Sequence, residues 1–493
     1  MAISGAPRLQ LRRVLGFRTV LSTSAGLAYA AISFLGCVLV ATALVGDGAW
    51  LAILIAGALA LLAATCFAEL NALYPSAAAI RLYMREAFNA RTSLIISFAY
   101  LLTVVAVIAA DSYVVGSAVT YALGLPRIVT LVLVLALLTL AALANLRGIR
   151  IAGILQDVTT YALLISAILI SVIGLASHGF HFHALLSGLS DPGGLFNAVA
   201  AGVFVFSAFE WVTPLSEEVA DQRLIPRGMY AALGLLFISY ALFTLACTNL
   251  LSVQSHGGWH LPASVTDPAR LTASVPQMLM AEAALGAVGR WWMLLATLLT
   301  GVMTFNGGFA TASRFLYAAA REGTLPQVFS KINRFIVPWV AVTALAAVSA
   351  AIAVIIFLTE QFQVLILVGA ALEAMIYTVA GLCVIQLRRR KPESERTFKS
   401  PLGWTIPILT IGVFALLFVG ALLPQPGQLP GLPPALVPVI TPAIVAGIFI
   451  LSTIYVLAYL PRLQARLAAL RATVQRRRPQ HPAPGNAGPA EGE

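Results

Sequence analysis

The sequence predicts an all-α integral membrane protein of about twelve transmembrane helices, and three observations carry that prediction. First, 60% of the 493 residues are hydrophobic and only 10% are charged, where a soluble domain carries about 25%. Second, apolar stretches of about 20 residues recur along nearly the whole chain, each long enough to cross a hydrocarbon core of ~30 Å. Backbone polar groups in lipid need partners within the segment, so each stretch should be a helix. The short alternating segments of a β-barrel are absent. Third, basic residues are divided unequally between alternate loops.

The expected spans are 18–45, 49–73, 93–123, 127–146, 151–176, 195–219, 228–253, 288–318, 337–358, 361–387, 404–424 and 436–459. With the N-terminus in the cytoplasm, only Arg127, Arg270 and Arg290 fall outside, which leaves 27 of the 30 lysines and arginines on the cytoplasmic side. This asymmetry supports an even number of spans with both termini cytoplasmic; the membrane is expected to be the plasma membrane. The net charge of +11 follows from the same bias and from the tail, and implies no nucleic-acid partner.

Arg8, Arg12, Arg13 and Arg18 precede the first apolar stretch without a cleavage site, so that stretch reads as a retained helix. The loop 177–194 contains His178, His181 and His183. With no carboxylate or cysteine at ligand spacing, it reads as a solvated outer loop rather than a metal site. Residues 254–287 form a second long outer loop. The tail, 460–493, begins as a basic amphipathic stretch (Arg462, Arg466, Arg471), continues as Arg476-Arg477-Arg478 and ends in Pro, Gly and Ala. Contact with anionic lipid is expected near its start and disorder at its end. Cys37, Cys66, Cys247 and Cys383 all lie in apolar stretches and read as small buried hydrophobes.

Acids in a span are costly, about 2.5–3.5 kcal/mol at the bilayer centre, so each asks for a reason. Glu69, Asp111, Asp157, Glu210 and Glu373 are the acids within the spans, leaving aside Glu217 and Glu218 at the exit of the sixth. Glu210 sits in Phe204-Val205-Phe206-Ser207-Ala208-Phe209-Glu210-Trp211-Val212-Thr213-Pro214. A carboxylate and a proline in mid-span suggest an interrupted helix, whose free N–H and C=O groups can hold substrate and ions. A kinked helix with a structural glutamate is the plainer alternative. Asp111 shares a face with Thr103 and Val107 at helical spacing. It reads either as a group for a cation or proton, or as a hydrogen-bonded acid near a helix end. Glu69 and Asp157 lie near cytoplasmic helix ends, where pairing with arginine is expected. Glu373 fits either role. No nucleophile elbow, phosphate loop or HExxH motif is present, so nothing suggests an enzyme or a cofactor.

Four separated motifs resemble the amino acid–polyamine–organocation (APC) superfamily of permeases. Glu69-Leu70 followed by Tyr74-Pro75-Ser76-Ala77-Ala78-Ala79-Ile80 and Tyr83-Met84-Arg85-Glu86-Ala87-Phe88 is similar to the end of that family's helix 2 and its first cytoplasmic helix. Phe209-Glu210, Glu217-Glu218-Val219 and Ile225-Pro226-Arg227 resemble helix 6 and its exit. Ala312-Ser313-Arg314-Phe315-Leu316-Tyr317 with Ala320-Arg321-Glu322-Gly323-Thr324-Leu325-Pro326 is the most specific, and Arg396-Thr397-Phe398-Lys399-Ser400-Pro401-Leu402-Gly403 resembles the loop before helix 11. The resemblance implies two inverted five-helix repeats (LeuT-like) plus two C-terminal helices. The chain then divides into a cytoplasmic N-terminus (1–17), a transport core (18–387), a cytoplasmic loop (388–403), helices 11 and 12 (404–459) and the tail (460–493).

The resemblance further implies that helices 1 and 6 are broken at mid-membrane, with the substrate between them. The substrate's carboxylate would meet helix 1 backbone near Ala30, Ala31, Ile32 and Ser33, and its amine the carbonyls of Ser207, Ala208 and Phe209. Phe204 matches an aromatic gate, and Glu210 the acid after the unwound turn. Asp111 is a further candidate for coupling. Two departures stand out. The helix 1 position usually carries Gly-small-Gly, which Ala30-Ala31-Ile32-Ser33 lacks; Gly26 lies one turn earlier. A helix 5 lysine used by some members is replaced by Leu163. The expected function is secondary transport of amino acids or related amines by alternating access, coupled to protons. An amino acid/amine exchanger is the alternative, and a non-transporting membrane sensor is the third reading.

Overall fold

The computed structural model describes residues 15–40, 48–76, 78–148, 153–178, 192–254, 275–423, 429, 432–462 and 464–465. Expectations for His181, His183, most of the 254–287 loop and the tail beyond residue 465 lie outside them. The described chain is helical: α1 (Phe17–Ala28), α2 (Ala31–Leu39), α3 (Ala49–Leu73), α4 (Ala79–Ala87), α5 (Ala90–Leu123), α6 (Arg127–Leu146), α7 (Gly153–His178) and α8 (Pro192–Gly202). Two 3₁₀ segments follow, Val203–Phe206 and Phe209–Glu218. Then come α9 (Leu224–Gln254), α10 (Pro276–Arg321), α11 (Trp339–Thr359), α12 (Phe362–Arg390), α13 (Thr405–Leu422) and α14 (Val437–Ile454).

Eleven segments are long and apolar enough to cross a membrane, and α1 with α2, bent by 52°, makes a twelfth. All twelve expected spans therefore have a counterpart. Local chemistry sets several ends. The Asn89 side chain accepts the N–H groups of Arg91 and Thr92 and caps α5, satisfying donors that the helix cannot. Gly124, at φ 64, ends it in a left-handed cap. One stretch departs from expectation. Residues 276–285 were expected in a loop, but they are helical and bury Met278, Leu279, Met280 and Ala281 against the core. The chain then turns at Gly286 (φ 60, ψ −144) into the long span.

The bundle has an inside and an outside. Within the apolar span of α12, 78% of residues are buried, against 22% for α14, so α12 lies in the protein core and α14 against lipid. At one end the chain is tied by ion pairs. Arg18 Nε donates to Asp157 Oδ2 at 2.7 Å, and Ser22 also bonds that carboxylate. Leu15 pairs with the exit of the sixth span through Leu15 N–H to Glu218 O (3.0 Å) and Ala220 N–H to Leu15 O (3.1 Å). Arg388 clasps Glu69 at 2.8 and 2.5 Å. Both acids expected to pair with arginine do so.

Candidate functional site

The first span breaks between α1 and α2 without a glycine. Tyr29 (φ −89, ψ 53) and Ala30 (φ −80, ψ 154) leave the helical region while keeping φ negative, so the turn needs no left-handed residue. Gly26 is not the break. It lies inside α1, where a Cβ would stand 2.3 Å from Thr160 Oγ1; its bare backbone lets α7 approach. The orphaned end of α1 is satisfied in place: the Ala28 carbonyl accepts Tyr240 Oη (2.9 Å) and Ser33 Oγ (3.2 Å). Tyr29 stacks on Tyr240 at 5.0 Å and bonds Ser239. Ala30 is the N-cap of α2, and Ala31, Ile32 and Ser33 form its first turn.

The sixth span breaks differently. After α8 the helix tightens to 3₁₀, Ser207 is extended, and Ala208 takes the left-handed conformation at φ 73. That geometry costs an alanine about 1–2 kcal/mol. The carbonyls around the break are partly used: Phe204 O accepts Ser207 Oγ (2.7 Å), Ala208 O accepts Trp211 N–H (3.2 Å) and Phe209 O accepts Ser24 Oγ (2.7 Å). Phe204 O also accepts the Ser207 N–H at 3.1 Å, so both of its lone pairs are engaged by the turn. The Ser24 bond ties the two broken spans together.

A small cavity lies beside both breaks, lined by Ile32 from α2, Thr103 and Val107 from α5, Phe204, and Ile366 and Gly369 from α12. Asp111, on the same face of α5 as Thr103 and Val107, is fully buried. The Ile32 N–H donates to its Oδ1 at 3.1 Å. A buried carboxylate thus sits on the exposed N–H end of a mid-span half-helix, where partial positive charge gathers. Its Oδ2 has no hydrogen-bond partner among the described residues.

Glu210 opens the second 3₁₀ segment and is buried on the far side of the break. Tyr100 Oη donates to its Oε1 at 3.2 Å and Tyr377 Oη to its Oε2 at 3.4 Å. Neither tyrosine was singled out from sequence, because a tyrosine in an apolar span usually reads as core. The expected residues therefore form two groups. Ile32 and Phe204 line the cavity and Asp111 holds the Ile32 N–H, while Glu210 joins α5 and α12 through the tyrosines. Ser207 Oγ is spent on its own turn. Among the described residues no cluster of His, Cys, Asp and Glu could hold a metal ion.

Comparison with known proteins agrees with this architecture. The chain is 26% identical over 386 residues to the human Asc-type amino acid transporter 1, covering 75% of this chain and 70% of that one. It is 25% identical over 300 residues to the serine/threonine exchanger SteT of Bacillus subtilis (strain 168), covering 60% and 64%. A solved manganese transporter of Eremococcus coleocola superposes with a TM-score of 0.57 at 15% identity, over 92% of this chain and 98% of that one, which shows a shared fold. The amino acid permease family model matches residues 15–462. With a match of that extent over two broken spans, the chain belongs to the amino acid permease family, as a multi-pass membrane transporter and not an enzyme.

Proposed function

We propose that this permease carries a zwitterionic amino acid by alternating access, seated between the two breaks. The observation that carries the reading is the Ile32 N–H, at the start of a mid-span half-helix, already holding a carboxylate. A substrate carboxylate would take the Asp111 carboxylate's place on the Ala30–Ser33 backbone. Its amine would face the carbonyls of the Ser207–Phe209 turn, and Phe204 would cover it. Glu210 would be the coupling acid. Asp111 would yield the helix end, since two carboxylates on one helix terminus repel. Protons are the coupling ion in this reading. The membrane is the plasma membrane, with residues 1–17, 388–403 and 460–493 cytoplasmic, as the loop charges indicate. The core of two inverted five-helix repeats would span 18–387.

Exchange is the second reading, favoured by the likeness to a serine/threonine exchanger. Proteoliposomes under an inward acid gradient separate the two. An importer accumulates labelled amino acid into an empty lumen; an exchanger requires internal substrate. Binding without flux in either condition contradicts both and leaves a sensor. Glu210→Gln should fold and lose accumulation, whereas unchanged accumulation and pH dependence would remove Glu210 from coupling.

A further inference from the structure

Glu373 lies on α12, one turn before Tyr377, on the same helical face. It is fully buried, and neither carboxylate oxygen has a hydrogen-bond partner among the described residues. Tyr377, one turn after Glu373 on α12, donates to Glu210 Oε2 at 3.4 Å, which sets Glu210 against the same stretch of α12. None of the ion pairs among the described residues includes either acid.

Two neighbouring buried carboxylates without a cation cannot both remain charged at reasonable cost. A proton is the simplest ligand that neutralises one of them. Other titratable groups around the pair do not compete for that role. Tyr100 on α5 and Tyr377 on α12 donate to Glu210, while Phe67 from α3 and Phe414 from α13 pack on Tyr377. Glu69 on α3 is held by Arg388. Asp111 is eleven residues from Tyr100 along α5, roughly 16 Å. A resident structural proton would need no link to the transport machinery. Here the link is direct, because Glu210 follows the left-handed turn at Ala208 and Glu373 shares α12 with Gly369 of the cavity.

We propose that Glu373 and Glu210 form one proton-binding site, in which Glu373 takes up the transported proton and Glu210 senses it. This rests on the permease reading and adds a residue to its coupling step. The proton enters as an O–H on one carboxylate and leaves to water on the opposite side, and no other bond changes. When the pair loses its proton, repulsion between α12 and the sixth span would drive the two apart and favour the open state.

Glu373→Gln, nearly isosteric, tests this in proteoliposomes. A gradient of one pH unit supports about tenfold accumulation per proton, and wild type should reach a value of that order. Glu373→Gln should lose it, falling to no accumulation above equilibrium, yet still exchange internal for external amino acid. Glu373→Asp should restore accumulation. Retained tenfold accumulation in Glu373→Gln overturns the proposal. So does a well-folded Glu373→Gln that loses exchange together with accumulation. Wild type that exchanges but never accumulates under acid also overturns the proton site, while leaving the permease reading intact. Wild type with no amino acid flux overturns the permease reading and the proton site with it.

Discussion

Ala208 shows how a single residue records the demands of a site. It holds a left-handed turn at φ 73 in mid-span, a position where glycine would be unstrained. Ala208→Gly removes a penalty of ~1–2 kcal/mol and returns ~0.5–1 as chain entropy, so thermal unfolding in detergent should be unchanged or slightly higher. Ala208→Val adds a β-branch to the same turn and should lower it; an equal melting temperature for both would contradict the turn geometry. Asp111 makes a second case. Its carboxylate occupies the Ile32 N–H that the substrate is proposed to use. Asp111→Ala removes this internal competitor, and since a charge-assisted hydrogen bond is worth about 1.5–3 kcal/mol, amino acid affinity should rise by about tenfold or more. Binding titrations showing weaker affinity would instead make Asp111 a direct contact. The acids were legible in sequence because charge in an apolar span is costly and stands out. Tyr100 and Tyr377 were not, because their single hydroxyls leave no mark on an apolar pattern. Ala208 was named only through the family resemblance, as part of the unwound turn, and nothing about an alanine announces a left-handed conformation.

At the scale of elements, both breaks were expected, and their construction was not. Ala30–Ser33 was expected to unwind, and the absence of glycine there was the apparent obstacle. The structure moves the break to Tyr29 and Ala30, with φ negative throughout, so the obstacle disappears and Ala31–Ser33 become the first turn of α2. The glycine nearby serves packing. Gly26→Ala should clash with Thr160 Oγ1, which would stand 2.3 Å from the new Cβ, and cost about 1–3 kcal/mol. Thr160→Ala in the same chain should recover most of it, and a double-mutant cycle without coupling would contradict the contact. The helical stretch 276–285 was hidden for another reason. It is short and carries Glu282, so it failed as a span, although its Met and Leu residues fill the core.

The whole molecule follows from the spacing of apolar segments, which is why twelve spans were legible before any contact was known. What spacing cannot reveal is which charged groups clamp the bundle. Glu69 accepts Arg388 at 2.8 and 2.5 Å and Ser400 N–H at 2.8 Å, all away from water. Arg388→Met removes the nearer of two guanidiniums on that carboxylate, with Arg396 remaining at 3.8 Å, and should cost less than the ~3–5 kcal/mol of a fully unpaired buried charge; Arg388→Met with Glu69→Leu should cost less still. A single variant as stable as wild type would show the pair to be incidental. The central claim concerns the seat between the two broken spans, where a substrate carboxylate is proposed to take the helix N-terminus that Asp111 now holds. A thermal-shift titration of the intact protein with a neutral amino acid and with its decarboxylated amine tests it most directly. The account predicts stabilisation of about 2.7 kcal/mol at a hundred times Kd for the amino acid and none for the amine at the same concentration. Equal stabilisation by the amine would contradict it.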